Sequence, residues 1–305
     1  MMVDQLIIAS RESPLAMWQA EHIQSRIQAL YPKLKINIQG FKTQGDLILD
    51  QSLATIGGKG LFIKELEQAL VEHKAHLAVH SMKDLPMDMP AGFCIAAITE
   101  REDPRDALVS NAFASLNELP NGAIVGTSSL RRQSQIKAKF PHLRIEPLRG
   151  NLQTRLRKLD EKQYVAIILA AAGLIRLGLK ERIRAYLDPD DFIPAVGQGA
   201  LGIEILENNE ELLSMLEPLN DPNTACCVNA ERAVSRALAG SCTVPLGAHA
   251  TIIDNTLHLS GFVAKPDGSE VIRASIVGPQ TIPKDLGEQL SQDLIARGAL
   301  KLLEN

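Results

Sequence analysis

Three groups of residues in this chain have the types and spacing to do chemistry. The first is Ser81-Met82-Lys83-Asp84-Leu85-Pro86, which follows the apolar run His76–His80. A buried strand that runs directly into Lys83 and Asp84 sets a cation and a carboxylate at its carboxyl end, where open α/β sheets bind ligands. Asp84 is therefore a candidate catalytic carboxylate, with a turn-capping aspartate as the commoner alternative. In an extended chain adjacent side chains face opposite ways, so Lys83 and Asp84 would divide contact with ligand and structural work between them. The second group spans Gly126 to Lys158, with nine Lys and Arg against one acid in a chain of net charge −4. Such concentration suits an anionic partner. The third is Cys242, in the loop Gly240-Ser241-Cys242-Thr243-Val244-Pro245. A thiolate needs access to react, and a Gly/Ser loop gives it; an inert cysteine is the alternative. Cys94 in a strand and Cys226 and Cys227 on a helix read as small core residues.

The elements that position the basic group follow from its pattern. Ala123–Thr127 reads as a strand end and Ser128–Phe140 as a helix capped by Thr127 or Ser128. Its first turn offers unpaired amides, the hydroxyls of Thr127, Ser128 and Ser129, and the guanidinium groups of Arg131 and Arg132, which together make an anion site. A strand over Leu143–Leu148, a turn at Arg149-Gly150 and a helix from about Asn151 carrying Arg155 repeat the plan. The apolar strand Tyr164–Ala172 then leads to Gly173 and Arg176. Right-handed crossovers bring such helix starts to one sheet edge, so Arg131, Arg132, Arg149, Arg155 and Arg176 would line one wall of a cleft. A solvated helix face is an equal alternative for each of Lys137, Lys139, Arg157 and Lys158, and the lesser alternative for the arginines at the strand-helix turns.

The amino-terminal part uses the same grammar. Gln5–Ser10 is a strand, and Ser13-Pro14 opens a helix to about Leu30. Arg11 and Ser13 thus occupy a strand-to-helix turn, as Ser129 and Arg131 do later. Lys35–Lys42 is the next strand. The glycine-bearing segment Thr43–Gly60 is long for a connection and suits a lid, with Lys59 and Phe62 as its candidate contacts. Gly57-Gly58-Lys59-Gly60 is not a nucleotide P-loop, because no Ser or Thr follows the lysine. Leu61–Lys74 is an amphipathic helix with Phe62, Leu66, Ala69 and Leu70 on one side.

These segments spell two α/β domains, with a hinge at Thr99–Arg105, a second crossing at Pro194–Gly202, and Leu201–Leu206 as a strand returning to the first domain. A helix over Thr224–Ala239, strands near 246–253, 256–264 and 270–277, and a last helix Pro283–Leu303 form a small α+β domain with a three-stranded antiparallel sheet. The expected limits are 1–99 with 200–217, 105–193, and 222–305. The composition, 45% hydrophobic and 22% charged, is that of a soluble globular protein. No signal peptide, membrane span, disulfide framework or CxxC metal pattern is read, and the compartment expected is the reducing cytoplasm. Aromatic residues at 4% do not interleave with the basic stretch, and no basic outer face is evident, which argues against nucleic acid. A non-catalytic two-lobed binder of small polyanions explains the arginines equally well, but neither the loop cysteine nor the acid at a strand end.

Several collinear motifs together resemble the porphobilinogen deaminase, or hydroxymethylbilane synthase, family. They are SRESPLA (10–16), GGKGLFIKELE (57–67), AVHSMKDLP (78–86), VGTSSLRRQ (125–133), LRGNLQTRLRKLD (148–160), IILAAAGLIRLGL (167–179), PAVGQGALGIE (194–204) and the Cys242 loop with VPLGA after it. Ser241 stands where the family commonly has glycine. The resemblance implies two periplasmic-binding-protein-like domains and a third carrying a dipyrromethane cofactor as a thioether on Cys242. It implies a monomeric transferase that joins four porphobilinogens head to tail on that primer, loses ammonia at each step, and releases hydroxymethylbilane for tetrapyrrole and haem synthesis. Asp84 is then the central catalytic carboxylate. Arg11, Ser13, Lys83, Thr127, Ser129, Arg131, Arg132, Arg149, Arg155, Arg176 and Gln198 fall on positions that contact cofactor or substrate. No metal is implied.

Overall fold

A computed structural model describes residues 5–47, 62–238 and 244–303. They form two compact units, one of residues 5–47, 62–101 and 200–225 and the other of 102–199, 226–238 and 244–303. The chain opens with β1 (Gln5–Arg11), α1 (Pro14–Leu30), β2 (Lys35–Phe41), the short α2 (Gln44–Leu47), α3 (Lys64–Val71), β3 (Leu77–Ser81) and β4 (Phe93–Ile98). The second unit follows with β5 (Asp106–Val109), β6 (Ile124–Gly126), α4 (Leu130–Lys139), β7 (Arg144–Glu146), α5 (Leu152–Asp160), β8 (Ala166–Ala170), α6 (Ala171–Arg176) and β9 (Ala185–Tyr186). Then come β10 (Leu201–Leu206), α7 (Glu210–Leu216), α8 (Pro222–Ala237), β11 (Leu246–Ile253), β12 (Thr256–Ala264), β13 (Val271–Pro279), α9 (Pro283–Ala296) and α10 (Ala299–Leu303).

Two of the three sheets share one plan. The first has the order β2-β1-β3-β10-β4 and the second β7-β6-β8-β5-β9. In each, the first three strands are parallel and the fourth, β10 or β5, is antiparallel to both its neighbours. Apolar runs such as Leu6, Ile8 and Ala9 in β1 are buried because helices cover both faces. One core layer joins α1 to Leu77, Val79, Ile203 and Ile205, and the other joins α3 to Ala9 and Ala78. The third sheet, β11-β12-β13, is wholly antiparallel. Its first turn places Asp254 and Asn255 at positive φ, as a two-residue hairpin requires. The α/β class with a carboxyl-terminal antiparallel sheet is thus the architecture found. No described helix is long and apolar enough to cross a membrane.

Several boundaries differ from the sequence reading. The strand expected over Tyr164–Ala172 stops at Ala170, where the run Ala170-Ala171-Ala172 passes into α6. Alanine favours helix, whereas the preceding Ile167-Ile168 favours strand. The helix expected from Leu61 begins at Lys64, with no side-chain cap at Ile63. The last helix is broken at Gly298, whose φ of +100° cannot continue a helix, so α9 and α10 replace one long element. Most of the segment read as a lid, including Lys59, lies outside the described residues, as does Cys242.

Candidate active site

Asp84 belongs to a single 3-10 turn, Met82–Asp84, that follows β3 directly. The backbone is therefore not extended there, and the expected opposite facing of Lys83 and Asp84 gives way to the rotation of a tight turn. Met82 anchors that turn: its side chain is fully buried and its N–H donates to Ala200 O at 3.0 Å. Gly202 makes room for it, since a Cβ there would stand 2.4 Å from Met82 Sδ. Asp84 itself is exposed and lines a hollow with Arg11, Ser13, Gln19, Phe62, His80 and Ser81, among others. Lys83 shares the turn without lining the hollow.

Helix α1 starts as its sequence predicts, with Pro14 in the first turn and Ser13 Oγ accepting from Ala16 N at 3.4 Å. Arg11 is held by an acid that the sequence did not mark as its partner. Its Nε donates to Asp46 Oδ2 at 3.1 Å, its Nη2 meets Asp46 Oδ1, and its guanidinium lies 4.3 Å over the Phe62 ring. Burial would raise the Asp46 carboxyl, but hydrogen bonds from Arg11 and Thr43 outweigh it and hold the group below its usual range. Phe62, expected as a lid residue, is half-buried in this stack.

In the second unit the cap of α4 is Ser129, one residue beyond the expected pair; its Oγ accepts from Arg132 N. Thr127 is buried and its Oγ1 accepts from Ser129 N at 3.2 Å, while Ser128 ties its hydroxyl to the Leu148 backbone. Arg131 and Arg132 are 5% and 7% exposed and converge on Asp106, itself 1% exposed. Arg131 Nη1 stands 2.7 Å from Asp106 Oδ2, and Arg132 Nη2 donates to Oδ1 at 2.8 Å. Gln198 Nε2 donates to the same Oδ1 at 2.9 Å. Burial would raise Asp106, but the two guanidinium groups hold it well below the carboxylate range; burial in turn lowers Arg131. These two arginines are thus inside the unit rather than bare along an open wall.

Arg149 and Arg155 flank the Gly150 turn as expected. Asn151 caps α5, accepting from Thr154 N at 2.9 Å, and Arg155 Nε donates to Gly150 O at 2.8 Å. Burial lowers Arg149. Arg176, at the end of α6, donates to Gly199 O at 2.6 Å; burial brings it down to about 10, with Glu102 pulling the other way. Arg157 and Lys139 are exposed and pair with Glu161 and Asp191, as a solvated helix face would. The sequence reading missed Asp46 and Asp106. Asp46 lies 35 residues from Arg11, and Asp106 lies 25 and 26 residues from Arg131 and Arg132, so no local pattern marks either acid as their partner.

Residues 6–214 match the family described as "Porphobilinogen deaminase, dipyromethane cofactor binding domain", and residues 225–296 match "Porphobilinogen deaminase, C-terminal domain". The chain belongs to the porphobilinogen deaminase family. Among curated relatives, the porphobilinogen deaminase of Methylobacillus flagellatus is 64% identical over 98% of this chain and 96% of its own. That of Chromobacterium violaceum is 60% identical over 99% and 97%. The solved methionine-binding protein MetQ overlaps at a TM-score of 0.47 and 15% identity, over 71% of this chain and 89% of its own. The donor set suits the family's group, which carries several carboxylates. Arg131 and Arg132 set two guanidinium charges against one carboxylate, leaving one positive charge in a buried cluster. Burial lowers Arg149 and Arg176 while both remain charged, and a bound carboxylate would offset that burial.

Proposed function

We propose that this chain performs the family's polymerisation with Asp84 as its central carboxylate and Cys242 as the anchor of the dipyrromethane primer. Four porphobilinogens are joined head to tail, ammonia leaves at each step, and hydroxymethylbilane is released. The primer, when bound, supplies the fixed pyrrole end on which the product grows. The protein's own groups bind and steer. Asp84 stabilises the cation formed on the substrate as ammonia leaves and holds pyrrole N–H protons at its carboxylate oxygens. Arg11, Ser13 and Lys83 receive substrate beside it. Thr127, Ser129, Arg149, Arg155 and Arg176 meet the acetate and propionate groups, and Arg131, Arg132 and Gln198 hold that wall through Asp106. Residues 1–99 with 200–217, 105–193 and 222–305 thereby divide the acid, the arginines and the anchor among three domains. The same reading has the chain act as a monomer in the reducing cytoplasm, where a free thiol is kept for thioether formation.

The observation that carries this reading is the place of Asp84: a carboxylate on a turn pinned by Met82 at the end of β3, in one hollow with Arg11 and Ser13. The test is the intact mass of the denatured chain beside Cys242→Ala, followed by turnover of Asp84→Asn. A mass excess of two linked pyrrole units, absent from Cys242→Ala, is expected. Asp84→Asn should keep the excess and lose about 10² or more in kcat. A wild-type chain that stays unmodified after incubation with porphobilinogen would turn the assignment toward a passive polyanion binder.

A further inference from the structure

Beneath the Asp84 turn lies a buried acid and base that the reaction as described does not use. His80 Nε2 is 2.8 Å from Glu204 Oε2, and the two side chains are 3% and 0% exposed. They form a diagonal contact across neighbouring strands: His80 of β3 stands opposite Gly202 of β10, and Glu204 stands opposite Ala78. Glu204 Oε1 has no hydrogen-bond partner among the described residues, and neither has Glu67 Oε1 on α3. Burial first, and then the charge of Glu204, raise the Glu67 carboxyl, with His80 and Lys64 pulling it down.

Stability does not account for such a cluster. A buried ionisable pair is commonly neutral or unfavourable against apolar residues of similar size, and a carboxylate oxygen left without a partner adds to the cost. What the pair has that leucines lack is direction: a hydrogen bond fixes register and distance, whereas apolar contact tolerates sliding. It acts where register matters, because His80 is the second-last residue of β3 and the Met82–Asp84 turn begins two residues on.

We propose that Glu204, acting through His80, is a positioning residue for Asp84: their buried hydrogen bond fixes the end of β3 against β10 and so sets where the carboxylate stands. This rests on Asp84 being the central acid. The test uses primer-loaded enzyme, with loading checked by intact mass, in four forms: wild type, Asp84→Asn, His80→Gln, and the double variant His80→Leu with Glu204→Leu. The double variant removes both members of the pair, so neither is left as a lone buried charge, and Glu67 loses the repulsion of Glu204 along with the pull of His80 while keeping that of Lys64. It should keep its thermal midpoint and KM while kcat falls roughly tenfold or more, the scale of a small misplacement of a reacting group. His80→Gln retains a donor of similar reach and should recover most of that loss. Wild-type kcat in the double variant overturns the proposal, as does a kcat loss that only tracks a lowered midpoint and is not recovered by His80→Gln. Should the double variant not fold, His80→Asn replaces it, being too short to reach Glu204; equal kcat in the Asn and Gln variants then overturns the proposal. An active Asp84→Asn refutes the underlying reading, whereas an inactive Asp84→Asn beside a fully active double variant refutes this inference alone.

Discussion

Asp106 shows how one residue can decide what its neighbours do. Its Oδ1 accepts from Arg131 Nη2, Arg132 Nε, Arg132 Nη2 and Gln198 Nε2, all within 3.0 Å. Asp106→Asn would leave two guanidinium groups buried without their anion and should cost about 3–5 kcal/mol, read from urea unfolding at pH 7. The pH dependence has a definite sign. A folded-state pKa held below the unfolded value gives stability that is full above the unfolded pKa and lost as pH falls through the folded one. The difference between wild type and variant should therefore stay constant from pH 7 to pH 5 and shrink only in stronger acid; a difference that already fades at pH 6 would place its origin elsewhere. The arginines were legible in the sequence as a charge excess, but their partner was not. An aspartate at the head of Asp-Ala-Leu-Val looks like a strand boundary, and only the placing of β5 between β8 and β9 brings it inside.

At the level of elements, local chemistry read well at several caps and turns, though the α4 cap fell at Ser129 rather than the expected Thr127 or Ser128 and the Asp84 turn was read as extended chain. Ser13 before Pro14, Asn151 before α5, and Asp254-Asn255 between β11 and β12 each stand where their side chains or φ preferences require. Reading failed where two propensities competed, as in the alanine run that β8 yields to α6, or where one glycine outweighed a long apolar period, as at Gly298. Gly202 is a subtler case, since its role lies in its neighbour. It faces Met82, and an added Cβ would also stand 3.2 Å from Leu85 Cδ1. Gly202→Ala should thus cost about 1–3 kcal/mol by overpacking and lower kcat more than it raises KM, because the displaced residue carries the Asp84 turn. Thermal unfolding and steady-state kinetics together check this; a destabilised variant with full kcat would show that the turn moves independently of Met82.

Across the molecule, the two repeated sheets were legible because each strand-helix-strand unit is a local pattern. The seating of the third sheet was not, because it depends on contacts between residues far apart in the chain. That sheet packs within the same compact unit as the arginines. Ile193 shares a core with Phe262 and Ala264, while its carbonyl accepts from Arg131 Nη1 and Gln135 Nε2. Gln133 Nε2 reaches Pro266 O, and Arg273 donates to the carbonyls of Asp190 and Asp191 at 2.8 and 2.6 Å. The sheet that follows the Cys242 loop in sequence is thus tied to the segment that Arg131 holds, which would couple the support of the proposed anchor to the proposed anion site. Arg273→Ala tests that tie without touching a residue of the reaction. Losing two charge-assisted bonds at a half-buried site should lower the unfolding free energy by about 1.5–3 kcal/mol in total, while each primer-loaded molecule keeps its kcat. Urea titration beside kinetics normalised to loaded enzyme separates the outcomes. An unchanged midpoint would mean that water replaces the arginine, and the apolar contact of Ile193 with Phe262 and Ala264 would then have to hold the sheet in place.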